Sequence, residues 1–117
     1  MNATENNLSD MIKKSVQQAA RLFHDGNLAA CQLLIGQTLR IDSNNDEALQ
    51  IAGLLKLRTG DTKDAVVFLE DARSINPNNP DHHNNLALAY SRMGKYDAAV
   101  ICLQDALKMA PARQIFW

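Results

Sequence analysis

Four groups of residues in this 117-residue chain have the chemistry to be weighed as sites. Asp81-His82-His83 joins a carboxylate to two imidazoles. Adjacent residues on a helix project about 100° apart, so the two histidines cannot easily ligate one ion. Asp61, Asp64, Glu70 and Asp71 share one segment, but Lys63 and Arg73 are interleaved, which reads as a solvated face. His24 beside Asp25 reads as an ordinary loop pair. Cys31 and Cys102 are far apart without metal-type spacing. They read as two reduced core cysteines of a cytoplasmic protein, since a free cysteine packs as a small hydrophobe. No nucleophile elbow, phosphate loop, zinc motif or dinucleotide fingerprint is present. The expectation is a chain that is not an enzyme and takes no metal and no cofactor.

Composition narrows the class further. Net charge is −1, so nothing drives the chain toward nucleic acid or an anionic membrane. The basic residues are scattered without an aromatic platform, which argues against single-strand binding. No apolar run approaches the roughly 18 to 20 residues that span a bilayer, and Met1–Asn7 lacks the features of a signal peptide. Aromatics are 5% while alanine and leucine dominate, which favours closely packed helices over a sheet.

The elements that must position any site come in a repeat of 34 residues. Gly26, Gly60 and Gly94 align, as do Ile41, Ile75 and Met109, and Ser43, Pro77 and Pro111. Apolar residues at helical spacing predict helices near 10–24, 28–40, 46–58, 62–74, 80–92 and 96–109. Ser9, Asn45, Asp61 and Asn79 are the expected N-caps, and Pro80 suits a first helical position. Gly26 is expected at positive φ where the first helix ends. Gly53 costs roughly 1 kcal/mol of helix propensity against alanine, so a partner helix is expected to pack almost onto its backbone. In the third unit, Ala87, Ala99 and Ala106 are the expected close approaches. Leu86, Tyr90, Tyr96 and Leu103 are expected to fill the space between its helices.

A period of 34 with helix–turn–helix content resembles the tetratricopeptide repeat family. The third unit carries Leu86, Ala87, Tyr90, Gly94, Tyr96, Ala99, Ala106 and Pro111 in that family's motif slots, with His83 in place of its tryptophan. His83 is therefore expected to be a packing residue. The second unit keeps Gly53, Gly60, Ala65, Ala72 and Pro77 but has Lys56 in the tyrosine slot. The first fits at Ala19, Gly26 and Ile41 and departs at Cys31, Thr38 and Ser43. The resemblance implies an all-α fold, a right-handed superhelical α-solenoid of antiparallel helix pairs. Its expected divisions are a flexible 1–9, three repeats over 10–111 (about 12–45, 46–79 and 80–113), and 112–117.

The resemblance also implies a role, a non-enzymatic protein–protein interaction module. The first helix of each pair would line a concave groove that holds a peptide or helix of a partner. The implied lining is Lys13, Val16, Gln17 and Ala20, then Gln50, Ile51, Leu54 and Arg58, then Asp81, Asn84, Asn85, Leu88 and Arg92. Members that clamp acidic chaperone tails use groove lysines, arginines and asparagines. Val16, Ala20, Ile51, Asp81 and Asn85 occupy those slots here, so that mode is rejected. Members fused to sugar-nucleotide transferases carry a groove ladder of asparagines. Only Asn85 matches it, and Gln17 and Ile51 break it.

Counting on by 34, Trp117 falls in the slot of His83. Residues 112–117 thus read as the start of a truncated fourth repeat, or as a tail. The first of these makes the chain the N-terminal part of a longer protein, with a docking or regulatory arm of an enzyme such as a glycosyltransferase as one alternative. A self-assembling scaffold is another, with Ile115, Phe116 and Trp117 docking on a second copy and a homo-oligomer as the result.

Overall fold

The computed structural model describes residues 3–109. They form six helices, α1 (Ala3–His24), α2 (Leu28–Ile41), α3 (Asp46–Arg58), α4 (Thr62–Ile75), α5 (Pro80–Arg92) and α6 (Tyr96–Met109), with no strand among the described residues. The molecule is elongated, 45 × 31 × 25 Å. Shifting α2, α3 and α4 by 34 positions lands on α4, α5 and α6, end for end.

Local chemistry sets these boundaries. Asn45 accepts from the Ala48 N–H at 3.0 Å, and Asp61 accepts from the Asp64 N–H at 3.3 Å. Asn79 caps α5 ahead of Pro80, which needs no N–H partner there. Asn27 caps α2 in the same way. Gly26, Gly60 and Gly94 stand at φ of 81°, 88° and 76°. That backbone lets the residue after each glycine bond back into its helix, Asn27 to Leu22, Asp61 to Lys56 and Lys95 to Tyr90, at 2.8, 2.9 and 2.9 Å. The first helix departs from expectation. It begins at Ala3, so Ser9 lies inside α1 and does not cap it.

Helices pack pairwise, α1 on α2, α3 on α4 and α5 on α6, and successive pairs stack. One cluster joins the first two pairs through Val16, Ala19, Cys31, Ile35, Ala48, Ile51, Ala52 and Leu55. A second joins the last two through Leu57, Ala65, Val66, Leu69, Leu86, Ala87, Ala89, Ala99 and Cys102. Both cysteines are free and buried. A Cβ built at Gly53 would meet Leu69 Cγ at 2.6 Å and the Ala65 carbonyl oxygen at 3.3 Å. The absent side chain is what lets α3 and α4 approach so closely.

Two of the expected space-filling residues do not fill space. Tyr96 is 66% exposed and Leu103 is 45% exposed. Their counterparts one repeat earlier are Thr62 and Leu69, and Leu69 is fully buried beneath α5. Among the described residues no helix covers the α5–α6 pair as α5 covers α3–α4. Residues 110–117, with Ile115, Phe116 and Trp117, lie outside the described residues.

Candidate protein-binding site

The curvature that makes a groove follows from which helices touch. α1 packs on α3 and α3 on α5, while the backbones of α2 and α4, and of α4 and α6, stay farther apart. The first helix of each pair therefore lies on the inside of the bend, and the second helices splay on the outside.

On the inner side α1, α3 and the start of α5 enclose a hollow of about 570 Å³. Val16 and Ile51 are buried in its floor, and Phe23, Gln50 and Leu54 are half-buried around them. Gln17, Ala20, His24, Glu47 and Asp81 stand exposed at its rim. The structure thus gathers Val16, Gln17, Ala20, Gln50, Ile51, Leu54 and Asp81 of the expected lining. Phe23, His24, Glu47 and Asn79 join them.

The rest of the expected lining lies elsewhere. Lys13 borders a separate hollow with Leu8, Ser9, Ile12, Asp42 and Asn45. Asn84 and Leu88 face a depression on the α5–α6 pair, shared with Ser91, Tyr96, Val100 and Leu103. Asn85 is half-buried on α5. The Arg58 guanidinium lies 5.3 Å from the Phe23 ring centroid, a cation–π contact beside the hollow. Arg92 donates to the Leu57 carbonyl at 3.2 Å, so it ties α5 to the end of α3.

His82 is fully buried, which sequence reasoning missed. Its Nε2 lies 2.7 Å from Asp46 Oδ2, and its Nδ1 lies 2.5 Å from Gln50 Oε1. Asn76 Nδ2 donates to the same Asp46 oxygen at 3.2 Å. This network pins the hollow's α5 wall to α3, and it holds Gln50, an expected groove residue, in an internal bond. His83 is a packing residue, as expected, and its Nε2 lies 2.8 Å from the Pro77 carbonyl. Glu70 is no mere part of a solvated face, because it accepts from the Tyr90 hydroxyl at 3.0 Å. Among the described residues no group of three or more His, Cys, Asp or Glu is placed to hold a metal. No described helix is long and apolar enough to cross a membrane.

Known proteins share this arrangement. The tetratricopeptide repeat family profile matches residues 56–116, and the chain belongs to that family. No curated protein matches the sequence. Among solved structures, a mutant O-GlcNAc transferase of Thermobaculum terrenum is 26% identical with a TM-score of 0.84, over 88% of this chain and 20% of that one. MamA is 19% identical with a TM-score of 0.75, over 90% of this chain and 61% of that one. The second TPR domain of Spaghetti (RPAP3), bound to the HSP90 peptide SRMEEVD, is 12% identical with a TM-score of 0.77, over 84% of this chain and 91% of that one. The chain thus spans a minor part of the transferase and about three-fifths of MamA. The fold is that of a protein-interaction module.

Proposed function

We propose that the chain holds a short segment of another protein in the hollow between α1, α3 and α5, without catalysing a reaction. The observation that carries this is the hollow's make-up, an apolar floor of Val16, Ile51 and Leu54 inside a polar rim of Gln17, Glu47 and Asp81. An apolar side chain of the segment would be buried on the floor, and rim groups would orient its backbone. Glu47 and Asp81 place negative charge at one end, which disfavours an acidic tail there. Ala20→Arg tests the reading, because Ala20 is exposed and its replacement crowds the hollow without opening the core. Binding of an identified partner segment should weaken at least about tenfold, with the helical spectrum unchanged. Unchanged affinity would contradict the reading.

Two further readings rest on their own observations. The likeness to the O-GlcNAc transferase supports a docking or regulatory arm of a larger enzyme. The size of the endogenous protein on an immunoblot tests it, since an arm requires a mass well above 13.0 kDa. The exposed face of Leu88, Val100 and Leu103 supports self-assembly, with Ile115, Phe116 and Trp117 contributing from a second copy. A mass that stays monomeric by light scattering at high concentration would contradict that.

A further inference from the structure

The two stacking junctions of the molecule can be compared slot by slot, because α2, α3 and α4 map onto α4, α5 and α6 by the same shift. At the second junction Tyr90 reaches from α5 across to Glu70 of α4, its hydroxyl donating at 3.0 Å. Arg73 completes a polar trio there, its Nη1 standing 3.6 Å from Cys102 Sγ. At the first junction the same three slots hold Lys56, Gly36 and Leu39. The phenol ring, its acceptor and the guanidinium are all gone.

Their loss leaves a hollow of about 320 Å³ between α2 and α4, over α3. Its walls are largely apolar, from Leu28, Ile35, Leu39, Leu55 and Phe68, with Gln32 and Thr59 as polar members. Phe68 stands where the second junction has Cys102, so one wall is aromatic. A Cβ built at Gly36 meets nothing within 4 Å, so the space beside it is open. Lys56 is half-buried at the edge, and among the described residues it makes no ion pair. A half-buried ammonium beside apolar walls favours an anion, and the low dielectric there strengthens the attraction. The volume sits at the lower end of the roughly 300–1,000 Å³ of small-molecule sites.

We propose that this hollow binds a small monocyclic aromatic carboxylate. The ring takes the place that Tyr90 fills at the second junction and stacks on Phe68. The carboxylate pairs with the Lys56 ammonium. The site lies among the splayed second helices, apart from the inner hollow, so a partner segment and this ligand can bind together.

Phenylacetate is the probe, titrated into the full chain while the methyl resonances of Leu28, Ile35, Leu39 and Leu55 are followed. Saturable shifts confined to those methyls are expected. Benzylamine, with a similar ring and the opposite charge, should bind at least about tenfold more weakly, and Lys56→Gln should weaken phenylacetate about tenfold. Gly36→Leu, which has room for its side chain, should fill the hollow and abolish the shifts while the fold persists. Absence of saturable shifts, equal binding of benzylamine, or undiminished binding to folded Gly36→Leu would each overturn the proposal.

Discussion

His82 of α5 bonds Asp46 of α3 at 2.7 Å with its imidazole wholly buried. The two residues are 36 positions apart, and their contact fixes how the third repeat stacks on the second. Replacing His82 by alanine removes one hydrogen-bond partner from Asp46 and one from Gln50 and leaves a void. We expect a loss of about 2–4 kcal/mol in urea unfolding. A change below about 0.5 kcal/mol, the size of an ordinary surface substitution, would show that the network does not hold the junction.

Close helix approach makes a second prediction. Gly53→Ala gains about 1 kcal/mol in helix propensity, but its Cβ would meet Leu69 Cγ at 2.6 Å and Cδ2 at 2.8 Å. Leu69 is fully buried, so it cannot simply swing away. A net loss of stability is expected by calorimetry, and a gain would mean that the core yields. Ala99, buried at the α5–α6 crossing, gives a companion test, with Ala99→Leu expected to cost roughly 1–3 kcal/mol by overpacking.

Tyr90 carries a pH signature. Burial, followed by its bond to Glu70 and that carboxylate's negative charge, raises its pKa above the usual tyrosine value. A raised pKa in the folded state means that the stability it contributes is fully present below about pH 10. That stability is lost as pH rises from there through the folded-state value. Tyr90→Phe should therefore cost about 0.5–1.5 kcal/mol at neutral pH and flatten the alkaline fall. Equal slopes for the two proteins above pH ~10 would contradict this.

Cys31 and Cys102 should resist modification in the native chain. Both are buried, and burial raises both thiol pKa values, so little reactive thiolate forms. A colorimetric disulfide reagent at pH ~8 should react with both thiols only after denaturation. Rapid reaction of the native protein would mean that the cores open readily.

The features legible in the sequence are those set by local chemistry. Asn45, Asp61 and Asn79 cap the helices they were expected to cap, and Gly26 takes the positive φ expected of it. Gly53 also announced its close neighbour, because a glycine inside a helix needs a steric reason. The His82–Asp46 bond was not legible, since it depends on how one repeat rests on the next. The groove list was carried over from the family resemblance, which says which faces turn inward but not which of them a further helix covers. Asn84 and Leu88 therefore stand on the α5–α6 face, which no described helix covers, while Phe23 and Glu47 join the hollow. Lys56 was visible as a departure from the family motif, but its meaning required Gly36 across the junction.

Site-specific photocrosslinking tests the inner hollow most directly. A benzophenone side chain is placed at Gln17, exposed on the hollow's rim, and in a second protein at Val67, exposed on α4. Partner adducts should form from position 17, disappear when Ala20→Arg is added, and be absent from position 67. Adducts from position 67 with none from position 17 would contradict binding in the hollow.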